Sequence, residues 1–385
     1  MNDQYQDLIQ ATQSPSTVKG YTHNFYRYPA RFSNKFVRQA LSMFSEPGDH
    51  ILDPFMGGGT TIVEALSMGR FATGIDLNEL AHFVATVKTA PLNESDQAAL
   101  YHWLDENVDY DVFDTAKEQG RIVNLPQHLE RLFGGWISRL ELLSKPRQRA
   151  FMRCALLKTG QWAIDCRERI PSYSEIRVAL REHVQEMCLG LNQLVSACHE
   201  SGIARNKITS RRKLWCRSAV GIEKEDCFIN PPKRFRLVLT SPPYYGVHVI
   251  YHRWQVKGRR ETPAPYWIAN LNDGAGLSHY TFGSRRTKLG REKYFDTLLK
   301  AFRSVKEVIH PKATIIQLVS FEQTAEQLPL YLETMQAAGY QEMDIFTRDG
   351  EQRIWRKVPH RKWYSRARKE EHDSMKEVLL LHRPT

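Results

Sequence analysis

The sequence predicts a doubly wound, mostly parallel Rossmann-like α/β sheet with a helical insertion and an antiparallel C-terminal hairpin. Three observations predict it. Short apolar strands alternate with amphipathic helices over 36–89 and again over 219–338. A helix-rich stretch over 90–212 interrupts the alternation. Two strand-like segments near the end flank Asp349-Gly350, a hairpin turn signal.

The elements follow in order. Residues before about 20 are polar and are expected to be loosely ordered. Phe36 to Phe44 has helical apolar spacing and stops at Pro47-Gly48-Asp49, a turn signal. His50 to Asp53 reads as a short buried strand, Thr60 to Met68 as a helix ended by Gly69, Phe71 to Ile75 as a strand and Glu79 to Thr89 as a helix. These elements make up a first half, 20–89. In the insertion, 90–212, Leu129 to Leu143, Arg149 to Leu157 and Tyr173 to Cys198 read as helices. A second half, 213–385, resumes with strands at Ala219–Ile222 and Arg236–Leu239. A helix at Lys293–Ile309, a strand at Ala313–Val319 and a helix at Ala325–Ala338 follow. Gln341–Thr347 and Arg353–Val358 form the expected hairpin, and Val378–His382 is the last strand.

Composition narrows the partners. The chain has 385 residues, 42% hydrophobic, enough to bury a core. A net charge of +11 favours a polyanionic partner over an acidic or neutral surface. No apolar run is long enough to span a membrane, and Asn2, Asp3 and Gln4 do not resemble a signal peptide. The six cysteines include no C-x-x-C pair, which points to reduced thiols in a cytoplasmic protein and to no metal site.

Two motifs carry the chemistry. Asp53-Pro54-Phe55-Met56-Gly57-Gly58-Gly59-Thr60-Thr61 joins the first strand to its helix. Three successive glycines let the backbone turn sharply and approach a ligand. The helix start offers unpaired N–H groups and the positive end of a dipole. Asp76, ending the next strand, suits a carboxylate accepting from ribose hydroxyls. No lysine precedes Thr60, so a P-loop is excluded, and consecutive glycines fit a dinucleotide fingerprint poorly. A nucleoside with an amino-acid end fits better. The second motif, Thr240-Ser241-Pro242-Pro243-Tyr244-Tyr245-Gly246, follows a strand at the ligand-binding end of such sheets. Its prolines hold the chain extended, so that the Ser241 hydroxyl and the Pro242 carbonyl can both accept from one planar amino group. Tyr244 offers a face for stacking a base.

These two motifs resemble those of the amino-directed DNA methyltransferases: a D-P-F-x-G-x-G-T cofactor motif at Asp53–Thr60, and the T-S-P-P-Y form most typical of cytosine-N4 enzymes at Thr240–Tyr244. Adenine-N6 enzymes more often carry Asp or Asn where Ser241 stands. Tyr28-Pro29-Ala30-Arg31-Phe32 looks like the segment covering the methionine end of the cofactor, and Glu225-Asp226-Cys227 like the acid-bearing turn near its adenine. The resemblance implies a Rossmann-like methyltransferase core, S-adenosylmethionine as cofactor, double-stranded DNA with one base flipped out as substrate, and transfer to cytosine N4. By the same resemblance Ser241, Pro242, Pro243 and Tyr244 are catalytic. Tyr28, Pro29, Ala30, Arg31, Asp53, Pro54, Phe55, Gly57, Gly58, Gly59, Thr60, Thr61, Asp76 and Asp226 would bind the cofactor. It leaves room for a homodimer and for a cognate restriction endonuclease on a separate chain. Transfer to adenine N6 or to RNA, and a non-catalytic DNA-binding subunit, are the competing readings.

Basic stretches interleaved with aromatics are expected to hold DNA. The segment near 247–292 follows the second motif directly, and His248, Arg253, Trp254, Arg259, Arg260, Arg285 and Arg286 are its candidate contacts. Arg211-Arg212-Lys213 and Arg353–Arg366 are further basic stretches. The insertion is either a target-recognition region or a scaffold and dimerisation element.

Overall fold

A computed structural model describes residues 5–14, 18–28, 32–109, 121–229, 234–245, 253–258, 260–272, 282, 287–321, 323–344, 352–357 and 376–385. Helices α1 (Gln6–Gln13) and α2 (Asn34–Phe44) lead into β1 (His50–Asp53). Then come α3 (Thr60–Ser67), β2 (Phe71–Asp76) and α4 (Glu79–Lys88). Four helices follow before the next strand: α5 (Glu94–Asn107), α6 (Gln127–Arg139), α7 (Pro146–Ile164) and α8 (Tyr173–Glu200). The chain re-enters the sheet as β3 (Arg212–Cys216) and continues through the short α9 (Asp226–Ile229) to β4 (Phe235–Thr240). A small antiparallel pair, β5 (Trp254–Val256) and β6 (Arg260–Thr262), precedes α10 (Ala264–Ala269). The C-terminal third comprises α11 (Lys288–Val308), β7 (Ile309–Ser320), α12 (Thr324–Ala337), β8 (Tyr340–Glu342), β9 (Ile354–Lys357) and β10 (Lys376–Pro384).

The main sheet runs β3-β2-β1-β4-β7-β10-β8. The first five strands are parallel and β10 is antiparallel to β7. Alternate side chains of each central strand enter opposite cores. Ile51, Leu237, Leu239, Ile316, Leu318, Leu379 and Leu381 pack toward α1, α2 and α3. Leu52, Val238, Ile315, Val319, Val378 and Leu380 pack toward α11 and α12. Burial on both faces is why these strands read as continuous apolar runs rather than as alternating ones.

The expected α/β alternation is present, with three differences. The polar N-terminus holds α1, anchored by the buried Leu8 and Ile9. The strand after the insertion is Arg212–Cys216, not Ala219–Ile222, which forms a turn entering a short 3-10 segment. Arg212 could be mistaken for a solvated charge. Its guanidinium instead donates to the carbonyls of Thr86 and Thr89, capping the end of α4. Finally, β8 and β9 do not pair with each other. Both lie antiparallel to β10, β9 beside its first half and β8 beside its end. The edge is thus one interrupted strand rather than a hairpin, and Asp349-Gly350 lies outside the described residues.

Helices α4–α8, α10 and β5 share a third core with Phe25, Tyr26 and Tyr28. Trp254, expected to contact DNA, is a correction: it is 1% exposed and donates from Nε1 to the Tyr26 hydroxyl at 2.9 Å. Gly160 of α7 leaves room for its indole ring. Apolar bulk this large is buried when a partner awaits its N–H, as here. Gln255 N donates to Asp165 and Arg153 donates to the Ile268 carbonyl, so β5 and α10 are packed on α7 and its end. The expected DNA-contacting role of 247–292 therefore does not extend to β5 or to the buried face of α10. No described helix is long and apolar enough to cross a membrane. Cys154, Cys188 and Cys198 are buried, Cys227 is half-buried, and Cys166 and Cys216 are exposed.

Candidate active site

The strand order reverses between β2-β1 and β4-β7, and β1 and β4 are adjacent and parallel. Ligands of open α/β sheets bind at the carboxyl ends of strands flanking such a reversal. Asp53 ends β1 and Thr240 ends β4, so both motifs begin at this crevice. A direct bond joins them: the Thr240 hydroxyl donates to Asp53 Oδ1 at 2.7 Å. Thr61, fully buried at the start of α3, lies 3.4 Å from the Leu239 carbonyl.

The glycine turn is built against β2. Met56 N donates to the Ile75 carbonyl, and Gly57 N donates to Asp76 Oδ2 at 2.8 Å. Gly74 in β2 has no side chain to obstruct Met56 and Ile62, which lie over it. Gly57 is left-handed (φ +47°), and a Cβ there would meet the Tyr28 ring at 3.2 Å. Tyr28 therefore lies over the turn. Beneath it, the fully buried Lys88 of α4 donates to the Gly58 carbonyl at 2.5 Å. Thr60 and Thr61 are buried, so the hydroxyls of this helix start face protein. Asp76 also accepts from Asn78 N at 2.8 Å. With Leu77 N as a third donor, three of its roughly four lone-pair sites are engaged. The carboxylate is half-buried, and burial raises it to about 6. The Phe55 ring packs edge-on against Phe282 at 5.5 Å and near Phe302.

Asp53 is 2% exposed, and burial pushes its carboxyl up to about 7, against the lowering effect of bonds from Thr240, Thr61 and Phe55 N. It reads as a tie between the two motifs rather than a group facing a ligand. A raised folded value means the folded chain holds a proton that the unfolded chain loses near pH 4. The associated stability is fullest below about pH 4 and is lost as pH rises to about 7. Asp53→Asn keeps an acceptor for Thr240 and cannot ionise. Between pH 5 and pH 8 the difference in urea-unfolding free energy should move in favour of D53N by about 2–3 kcal/mol. A pH-independent difference would contradict this assignment.

The second motif is anchored through Ser241, Pro243 and Tyr244. Pro243 O accepts from the Tyr294 hydroxyl at 2.7 Å. Among the described residues no donor reaches Pro242 O. Ser241 Oγ lies 2.9 Å from the Leu318 carbonyl of β7 and 3.0 Å from the Tyr244 hydroxyl. The Tyr244 hydroxyl donates to Glu377 Oε1 of β10 at 2.6 Å. Burial, then the Glu377 charge, raises Tyr244 well above its ordinary value, so it stays a neutral phenol. Arg356 of β9 closes the chain, its Nε 2.5 Å from Glu377 Oε2. Ser241, Pro243 and Tyr244 are half-buried and Pro242 is buried, so the tyrosine is fixed by its tip with part of its surface exposed.

The remaining predicted residues scatter. Asp226 is exposed at the start of α9. Its segment reaches the Asp76 end of β2 through Arg217, whose N–H donates to the Asp76 carbonyl and whose guanidinium bonds Glu225. Pro54 lies in the turn after β1. Arg260 is exposed on β6, while Arg253 lies 3.9 Å from Glu261. Pro29, Ala30, Arg31, His248, Arg259, Arg285 and Arg286 lie outside the described residues. The basic stretches of the sequence are partly structural. Arg353 makes a two-point bond to Glu342, Arg356 is 8% exposed, and Arg211 lies over the Phe71 ring. Sequence reasoning missed Glu377, Lys88 and Tyr294. No spacing signal links Glu377 to Tyr244, which lie 133 residues apart.

Residues 2–86 match the family model described as DNA methylase, of the N6/N4 type. That span contains the glycine motif, Tyr28 and Asp76, and ends before the serine-proline motif. Among curated proteins, the chain is 30% identical over 97 residues to type II methyltransferase M.MvaI of Kocuria varians. It is 37% identical over 68 residues to M.MjaII of Methanocaldococcus jannaschii and 38% identical over 68 residues to M.BsoBI of Geobacillus stearothermophilus. These matches cover 24%, 18% and 17% of this chain. They cover 20%, 13% and 13% of the relatives, so the chain spans a fifth or less of the length of each.

Proposed function

We propose, on the premise that the chain belongs with the amino-directed DNA methyltransferases its residues 2–86 match, that it transfers a methyl group from S-adenosylmethionine to the exocyclic N4 of cytosine in DNA. The observation that carries this is the Asp53–Thr240 bond, which holds a nucleoside-type cradle and an amino-group clamp side by side at one strand-order reversal. The residues fit the cofactor. The turn at Gly57 has no side chain to fill it, Tyr28 lies above it, and half-buried Asp76 keeps a lone pair for a ribose hydroxyl. When bound, S-adenosylmethionine supplies an electrophilic methyl group on a sulfonium.

The chain's own residues do the rest. The amino lone pair of cytosine is delocalised into the ring and is a poor nucleophile. Ser241 Oγ and Pro242 O, as acceptors, draw the two N–H groups and favour a more tetrahedral nitrogen. They also oppose the positive charge that grows there, the reverse-sign counterpart of an oxyanion hole. The part-exposed Tyr244 ring holds the flipped base in line, which supplies proximity. No strong base is needed, because the nitrogen's proton becomes acidic once the methyl group has moved. Exposed cations such as Arg260 and Lys257 would meet phosphates, and the protein would act on DNA in the cytoplasm.

The T-S-P-P-Y form supports cytosine over adenine, since Ser241 stands where adenine-directed enzymes more often carry Asp or Asn. The test offers labelled cofactor with duplex DNA and RNA separately, then digests the labelled product to nucleosides. N4-methylcytosine from DNA is expected. N6-methyladenine would overturn the choice of base, and label entering RNA alone would overturn DNA as substrate.

A further inference from the structure

The clamp needs Ser241 as an acceptor, yet a serine hydroxyl donates as readily as it accepts. What decides is the direction in which its neighbours run. Leu318 O, 2.9 Å away, can only accept. The Tyr244 hydroxyl, 3.0 Å away, could do either. Its proton, however, is held by Glu377 Oε1 at 2.6 Å, and Glu377 is 2% exposed and paired with Arg356. Both inward neighbours of Ser241 therefore present lone pairs. The serine proton points into the protein and its own lone pairs point out. The register fixes this arrangement, because Glu377 faces Arg356 across β10–β9 and Ser320 across β10–β7, two residues beyond Leu318.

We propose that Glu377, held by Arg356, is a positioning residue that sets the hydrogen-bond direction of the clamp and keeps Ser241 an acceptor toward the amino group. The proposal rests on the function inferred above and deepens it. Were Glu377 unable to hold the tyrosine proton, the Tyr244 hydroxyl would turn to Ser241. It would then occupy a lone pair meant for substrate.

Glu377→Gln, whose amide N–H groups compete to donate to the tyrosine oxygen, should lower kcat for DNA by about tenfold or more. Tyr244→Phe removes the hydroxyl that could turn, keeps the ring, and leaves Ser241 donating to Leu318 O, and its kcat, whatever its level, is the reference for the double variant. In E377Q/Y244F the loss caused by changing Glu377 should disappear, leaving the double variant within about twofold of Y244F. A merely structural Glu377 would lower kcat by the same factor with and without the hydroxyl. Affinity for S-adenosylhomocysteine should not change in any of the three. If E377Q does not fold, R356M/E377Q leaves no charge unpaired and carries the same comparison, with and without Y244F. The proposal is overturned if E377Q turns over within twofold of the parent, if changing Glu377 lowers kcat as much in Y244F as in the parent, or if cofactor affinity falls in step with kcat. A parent protein that methylates no DNA at all would instead overturn the function on which it rests, and this inference with it.

Discussion

Replacing Ser241 and Tyr244 together by alanine should lower methyl transfer by about a thousandfold or more. Each residue contributes differently. Removing one pre-positioned hydrogen-bonding group of an oxyanion-hole type costs about 10²–10³ in kcat. A base stacked on an aromatic ring is worth about 1–3 kcal/mol, felt in DNA affinity and in the alignment of the flipped base. The proposed cofactor cradle is made by Gly57, Tyr28 and Asp76, which belong to other elements. Calorimetric affinity for S-adenosylhomocysteine should therefore stay within about threefold. The loss of Tyr244 also deprives Glu377 of one donor, yet Arg356 still compensates its charge, so the variant should fold. A double variant that methylates as well as the parent would show that the serine-proline corner is not the clamp.

The layout of the candidate site was legible in the sequence to the extent that its proposed chemistry is local. Gly57, Gly58 and Gly59 and the S-P-P-Y run sit within single strand-to-loop connections, so chain order alone brings their functional atoms together. The position of Asp76 was legible for a similar reason, since β1-α3-β2 is one parallel crossover that returns the chain to the adjacent strand. The non-local half was not. Glu377 reaches Tyr244 only because β10 inserts antiparallel between β7 and the edge strands, a pairing that apolar periodicity does not encode. For the same reason Arg356 read as a phosphate contact when it is the buried partner of Glu377. The basic stretches share one lesson. Arginine beside aromatics describes a DNA-binding surface, and equally a guanidinium lying over a core ring, as Arg211 does over Phe71, or an indole buried against a helix, as Trp254 is against Gly160. Composition cannot separate these, because both outcomes satisfy the same polar and apolar demands. The fold survived such errors because its strands are buried on both faces, and long apolar runs outweigh misplaced boundaries.

Gly57→Val should weaken cofactor binding by about a hundredfold, the second large effect. The position is left-handed, where a side chain clashes with its own backbone at a cost of roughly 1–2 kcal/mol, more for a β-branched one. The new Cβ would lie 3.2 Å from the Tyr28 ring, tighter than an ordinary contact, and the branch would extend into the space the ring covers. Either Tyr28 moves away or the turn does. If the turn moves, Gly57 N loses Asp76 Oδ2, and the carboxylate loses the bond that aims it at the crevice. Either route damages two contacts to one ligand, so the losses compound. Gly57→Ala, with the same backbone demand but no branch, should cost about tenfold and so divides the effect between backbone and Tyr28. Pairing G57V with Tyr28→Ala separates the two routes. If the clash with the ring dominates, the double variant should bind S-adenosylhomocysteine more tightly than G57V alone. If the left-handed backbone dominates, it should bind no better. An affinity for G57V within twofold of the parent would mean that the cofactor does not approach this turn, and the nucleoside cradle would have to be sought elsewhere on the sheet.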